Sequence, residues 1–172
     1  MKYDHFKHKR RSIRLKEYNY ASEGCYFITL CCKDRLPIFG SIKNNEMQLN
    51  EYGLIAQNEW LNTLQKRQHI LLDEFIVMPN HIHGIIVVTN RLTDKERGVC
   101  DTPLHSPSNT IGAIIRGYKS AVTSQLKEKI GSEIWQRNYY EHIIRNETAF
   151  NQIRQYIMNN PFTWEQDRFF IS

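Results

Sequence analysis

Two histidines stand two residues apart in the run His81-Ile82-His83-Gly84-Ile85-Ile86-Val87-Val88. Side chains of a β-strand alternate between faces, so His81 and His83 leave the same face and Ile82 points to the other, buried side. Two neutral imidazoles converging in this way suit a single metal ion. A packed or solvated histidine pair is the competing reading of so short a pattern. Near the C-terminus, Tyr156 and Asn160 are four residues apart and share one helical face. Phe150, Ile153 and Ile157 form the stripe that packs down, with Tyr156 at its border. A phenol there can leave the core as a nucleophile, and Asn160 can offer an amide oxygen to the same metal. Ordinary packing for the tyrosine and helix termination before Pro161 for the asparagine are the alternatives.

The elements that must position these residues follow from pattern. Residues 1–20 form a basic, aromatic-dotted arm, and 21–172 form one domain. Cys25–Cys32 is a short apolar and β-branched strand. Pro37 and Gly40 mark a loop. Residues 51–66 form a helix with Leu54, Ile55, Asn58, Leu61 and Leu64 near helical spacing. Strands at 69–77 and 81–88, joined by the Met78-Pro79-Asn80 turn, pair as an antiparallel hairpin. Residues 90–109 are polar and aperiodic, a long loop. A helix starts near Ser108 or Asn109, buries Ile111, Ile114, Ile115, Tyr118 and Val122, and ends at Gly131. Residues 134–144 contain the last strand, and a helix capped by Asn146 spans 147–159. The order β-α-β-β-α-β-α predicts an α+β, ferredoxin-like fold: a split β-α-β with a four-stranded antiparallel sheet, and a C-terminal helix that carries Tyr156.

Composition bounds the partners. Lysine and arginine number 23 against 18 acidic residues, a net charge of +5. The excess is clustered at Arg10, Arg11 and Arg14 in the arm, and again through Arg116, Lys119, Arg137 and Arg145. Such patches attract polyanions such as nucleic acid through counterion release, so these residues are candidate contacts to one, and His142 is a candidate site residue or else a strand-end histidine. A solvated basic surface is the bland alternative. Cys25, Cys31, Cys32 and Cys100 show no zinc-ribbon or CxxC spacing and read as free thiols in a reducing compartment. No apolar run is long enough for a membrane span, and the N-terminus lacks a secretory signal, so a cytoplasmic protein is expected.

Four segments carry a family resemblance. Met78-Pro79-Asn80-His81-Ile82-His83 resembles the histidine-hydrophobe-histidine strand of single-tyrosine HUH transposases. Trp135 to Asn146 is similar to their late strand and its turn, and Tyr156-Ile157-Met158-Asn159-Asn160-Pro161 to the helix that carries their tyrosine. Arg10-Arg11-Ser12-Ile13-Arg14-Leu15 resembles the start of the branch called REP-associated tyrosine transposases. The resemblance implies a divalent metal, Mg2+ or Mn2+, held by His81, His83 and Asn160, with Tyr156 as the catalytic nucleophile. It implies cleavage and rejoining of single-stranded or hairpin DNA through a 5′-phosphotyrosine, by a monomer or homodimer associated with the bacterial nucleoid. The rival of a different class is a non-catalytic nucleic-acid-binding module on the same sheet, stacking bases on Tyr26 or Phe27.

Overall fold

The computed structural model describes residues 23–65, 67, 69–89 and 110–171, so the expected arm and the 90–109 loop lie outside the described residues. Its elements are β1 (Gly24–Cys31), β2 (Gly40–Lys43), β3 (Glu46–Leu49), α1 (Glu51–Gln65), β4 (Ile70–Val77), β5 (His81–Val88), α2 (Ile111–Ile130), β6 (Tyr140–Ile144) and α3 (Glu147–Asn159). Four strands form one sheet in the order β4-β5-β1-β6, and every pairing is antiparallel. With α1 and α2 as crossovers, this is the expected ferredoxin-like α+β arrangement.

Alternation along β1 and β5 divides the interior into two layers. Tyr26, Ile28, Leu30, Ile82 and Ile86 turn towards α1 and α2 and join Trp60, Ile114, Ile115, Tyr118 and Val122 in the larger core. Phe27, Ile85 and Ile144 turn the other way and pack with Ile157 of α3. The register sets Thr29 opposite His83 and Cys31 opposite His81. Both histidines therefore lie on the α3 face of a central strand, and Ile82 lies in the larger core, as alternation predicts.

Gly84, between these histidines and the hairpin's far end, is fixed by packing. A Cβ there would sit 2.4 Å from Cζ2 of Trp60, a fully buried ring. Gly84→Ala is expected to force Trp60 or the strand to move and to lower stability by about 1–3 kcal/mol, the usual cost of overpacking. A urea unfolding midpoint equal to that of the parent would contradict this account of the glycine.

Four local expectations change. Residues 40–49, given no element beyond the loop mark at Gly40, form the β2–β3 hairpin, which turns at Asn44 and Asn45, both in the left-handed region (φ 53° and 62°). That hairpin sets the face of α1. A Cβ at Gly53 would lie 2.2 Å from the Phe39 carbonyl oxygen, so the helix approaches on its Gly53, Ala56 and Trp60 side. Leu54, Asn58 and Leu61, expected on the buried stripe, are exposed instead. Asn50 caps this helix by accepting from the Tyr52 and Gly53 N–H groups at 2.9 Å.

The α2 helix begins at Ile111 and is capped by Thr110 rather than by Ser108 or Asn109, and Gly131 ends it as expected. The 134–144 strand shortens to Tyr140–Ile144. Trp135 makes only an isolated bridge to Cys32, and between Trp135 and β6 the Gln136 and Asn138 carbonyls accept from Lys119 Nζ.

Candidate metal centre

The α3 helix starts where the sequence places it: Asn146 Oδ1 accepts from the Ala149 N–H at 2.8 Å. Ile157 anchors it on the sheet, and Arg154 pairs with Asp73 of β4 at 2.8 Å. This pose brings Tyr156 and Asn160 over the β5 histidines. The Tyr156 hydroxyl lies 3.2 Å from His83 Nε2 and 3.3 Å from Asp167 Oδ2. Its ring meets that of His83 at 5.2 Å and the edge of Phe27 at 6.1 Å.

Asp167 comes from the segment after α3, whose Trp164 and Phe169 rings lie 5.9 and 4.6 Å from that of His81. One ligand atom each of His81, His83 and Asp167 lies within 4.8 Å of the others. Asn160, fully buried, donates Nδ2 to Asp167 Oδ2 at 3.0 Å. Its Oδ1 has no hydrogen-bond partner, and neither has His81 Nε2, although both atoms are buried. Unpaired buried acceptors are costly and rare. Here they adjoin a carboxylate and a second imidazole, which is the donor set of a divalent cation. The residues fit a metal, and the cluster is of the histidine-hydrophobe-histidine type.

Surrounding groups fix which nitrogen faces inward. Asn80 Nδ2 is held by two carbonyls, those of Phe169 at 2.8 Å and Arg35 at 3.0 Å. Carbonyls only accept, so Asn80 Oδ1 must be the atom that faces His81 Nδ1 at 2.9 Å, and that nitrogen must donate. The Nε2 lone pair is left for the site. His83 Nδ1 meets Thr29 Oγ1 at 2.9 Å, a hydroxyl able to donate or accept, and the imidazole is stacked on Phe27. Outer hydrogen bonds of this kind orient metal-binding imidazoles.

Burial pushes the His81 pKa down to about 4, with Asp167 and Asn160 opposing and Arg168 reinforcing. Burial, then His81 and Arg168, hold His83 well below its ordinary value. Both imidazoles are therefore neutral at physiological pH, the form that coordinates. Between pH 6.5 and about 4 the unfolded chain binds a proton at His81 that the folded chain does not. Stability of the metal-free protein should then fall as pH drops through this window, by about 3 kcal/mol for His81 alone. Urea midpoints in chelator at stepped pH read this directly. A flat profile from pH 7 to 4.5 would mean that the imidazoles are not held neutral by the fold.

The tyrosine is tuned the other way. Burial, then the charge of Asp167 and its hydrogen bond, raise the Tyr156 pKa to about 12, with Arg168 and Asn160 opposing.

Among the expected DNA contacts, Arg10, Arg11 and Arg14 fall outside the described residues. Arg116 and Lys119 sit on α2, across the sheet from the histidines, and Lys119 is engaged by two carbonyls and by the ring of Trp135 at 5.8 Å. Burial lowers the Lys119 pKa to about 8. Arg137 and Arg145 are exposed. His142, also exposed, pairs in register with Phe27 and so shares the histidine face.

Sequence reasoning missed Asp167, Arg35, Arg168 and the bracing role of Asn80. The first had a signal, since an acidic residue follows the tyrosine helix and a divalent site favours an anionic oxygen. The two arginines flank Phe169, at 5.6 and 4.6 Å from its ring centre, and that ring lies 4.6 Å from His81. They give the site a basic rim.

No family model matches the chain. A Haemophilus influenzae chain described as "Uncharacterized protein" is 46% identical over 180 residues, covering 99% of this chain and 98% of that one. The two belong to one family. The solved structure of a REP-associated tyrosine transposase bound to a REP hairpin superposes with a TM-score of 0.61 at 18% identity, covering 91% of this chain and 77% of that one. The chain has the fold of a REP-associated tyrosine transposase. Among the described residues no helix is long and apolar enough to cross a membrane.

Proposed function

We propose that this protein cuts and rejoins single-stranded DNA beside a hairpin, with Tyr156 as nucleophile and a divalent cation at His81, His83 and Asp167. The observation that carries the reading is the placement of the Tyr156 hydroxyl within 3.3 Å of both His83 Nε2 and Asp167 Oδ2. Asn160 Oδ1 stands beside them as a further oxygen donor. Likeness to a transposase solved with its hairpin supports the substrate class.

Carboxylate, amide and phosphate oxygens favour Mg2+ or Mn2+ in use, with the imidazoles shifting the balance to Mn2+. A cation held by His81, His83 and Asp167 would supply positive charge to offset the negative charge of the phosphodiester and would favour ionisation of the phenol. The chain's own groups do the rest. Arg35 and Arg168 draw the phosphodiester to the rim, and Phe27 and Ile157 hold the tyrosine ring over His83. The bond from Tyr156 Oη to phosphorus forms as the bond to the 3′ oxygen breaks. The phenolic proton passes by way of Asp167 Oδ2 to the departing 3′ oxygen, leaving a 5′-phosphotyrosine. Attack by a 3′-hydroxyl reverses these steps and rejoins the strand without a nucleotide cofactor. Such a substrate goes with a cytoplasmic, nucleoid-associated protein.

The alternative of a base-stacking module has little to work with, since Tyr26 is fully buried and Phe27 is 8% exposed. Incubation with a 3′-labelled single-stranded hairpin and Mn2+ tests the proposal. A covalent, label-bearing protein band is expected, and chelator should abolish it. Absence of that band with both Mn2+ and Mg2+ would refute strand cleavage, and a band undiminished by chelator would refute the metal.

A further inference from the structure

A second recess lies one ring away from the metal centre. It measures about 280 Å3 and is formed by the tip of the β2–β3 hairpin, through Ile42 and Asn45, and by Phe162, Trp164, Gln166 and Phe170 of the segment that follows α3. Trp164 and Phe170 meet edge to face at 5.5 Å. Phe162 is 66% exposed and Phe170 36%. Large rings gathered at a solvent-facing recess mark a binding surface more often than a single exposed apolar residue does. Trp164 joins the two sites, because its ring also lies 5.9 Å from that of His81, tilted by 30°.

Resting on the strand-cleavage reading above, we propose that this recess stacks one unpaired nucleobase of the strand whose phosphate lies at His81, His83 and Asp167. Charge separates the two halves of a nucleotide here. The recess contains no lysine or arginine among its lining residues, and its one ionisable residue is Glu165, so a phosphate is disfavoured inside it. Arg35 and Arg168 stand instead beside Phe169 at the metal centre. Ring faces suit any base, and the amides of Asn45 and Gln166 with the Glu165 carboxylate offer partners to a base edge. Stacking of this kind is tolerant of sequence and is used widely to hold exposed strands. It also gives the β2–β3 hairpin a task, as the wall of the recess opposite the C-terminal segment.

The test uses the full chain as Tyr156→Phe, so that no strand is cut, and a DNA hairpin with unpaired thymidine tails. Replacing the tail thymines one at a time by 5-iodouracil and irradiating should give, at one tail position, a crosslink in the peptide that holds Phe162 to Phe170. Phe162→Ala, at a site exposed enough to leave folding intact, should weaken binding of the hairpin about tenfold, and Phe162→Trp should restore it. An abasic residue at the crosslinking position should cost about as much in the parent and nothing further in Phe162→Ala. An abasic penalty equal in the two proteins, or crosslinks confined to other peptides, would overturn the nucleobase site. If the unaltered chain still forms its covalent band under those circumstances, strand cleavage stands without the recess. A chain that neither binds nor cuts the hairpin defeats both.

Discussion

Tyr156→Phe should form no covalent adduct with a 3′-labelled hairpin, while Tyr140→Phe should form it at the parental level. The two tyrosines share the sheet face of the histidines, and both are exposed to a similar degree, 40% and 45%. Only Tyr156 has its hydroxyl at the cluster. Tyr140 stands further along the face, its ring 6.3 Å from Phe27 and beneath the guanidinium of Arg168. Tyr118 offers no rival, being buried on the opposite face with its hydroxyl donated to the Ala56 carbonyl. With its pKa at about 12, roughly one Tyr156 in 10⁵ is ionised at pH 7 without a cation. The side chain alone is thus a poor nucleophile, and adduct formation should need both the hydroxyl and the metal. Removing the hydroxyl deletes one partly exposed hydrogen-bonding group, which costs about 1 kcal/mol of stability or less. Folding and hairpin binding should therefore survive in Tyr156→Phe, so that loss of the adduct reports chemistry. An adduct of parental yield in this variant would move the nucleophile to another residue.

How far such a site can be read from the chain depends on how local its geometry is. The positions of His81 and His83 on one face need only the period of a strand, and Tyr156 with Asn160 needs only one helical turn, so both pairs were legible. The α2 stripe was legible for the same reason, since five apolar residues at helical spacing meet one continuous core. The face of α1 was not. Its buried side is dictated by Phe39 and the β2–β3 hairpin pressing on Gly53, and the hairpin's four-residue strands are half polar. The Asn44-Asn45 pair was its one local mark, because asparagine tolerates the left-handed conformation that tight hairpins require. Asp167 was hidden by a different cause. Nothing periodic surrounds it, and its place is set by contacts distant in sequence: Asn80 with the Phe169 carbonyl, and Arg35 Nη1 with the Arg168 carbonyl at 2.8 Å. Those contacts latch the final segment onto the turn that precedes β5 and onto the turn that follows β1, so the residue completing the cluster is delivered by tertiary structure alone.

Because Asp167 has three partners, its replacement by asparagine should produce two effects of opposite sign. Its Oδ1 accepts the Phe169 N–H at 2.7 Å, and its Oδ2 faces Asn160, Tyr156 and the imidazoles. It is the only anionic member of the described cluster. Asp167→Asn keeps the size and one acceptor but removes the charge, so Mn2+ affinity by calorimetry should fall at least tenfold, in line with the sensitivity of metal sites to their ligands and supports. The same carboxylate raises the Tyr156 pKa by charge and by hydrogen bonding. In metal-free Asp167→Asn the phenol should therefore ionise at lower pH than in the parent, which ultraviolet titration shows as a difference against the Tyr156→Phe background. A group that served packing alone would weaken neither the metal nor the hold on the phenolic proton. Loss of Mn2+ affinity with an unchanged phenol would keep Asp167 as a ligand and remove it from the proton path. An unchanged affinity would leave the cation to His81, His83 and Asn160.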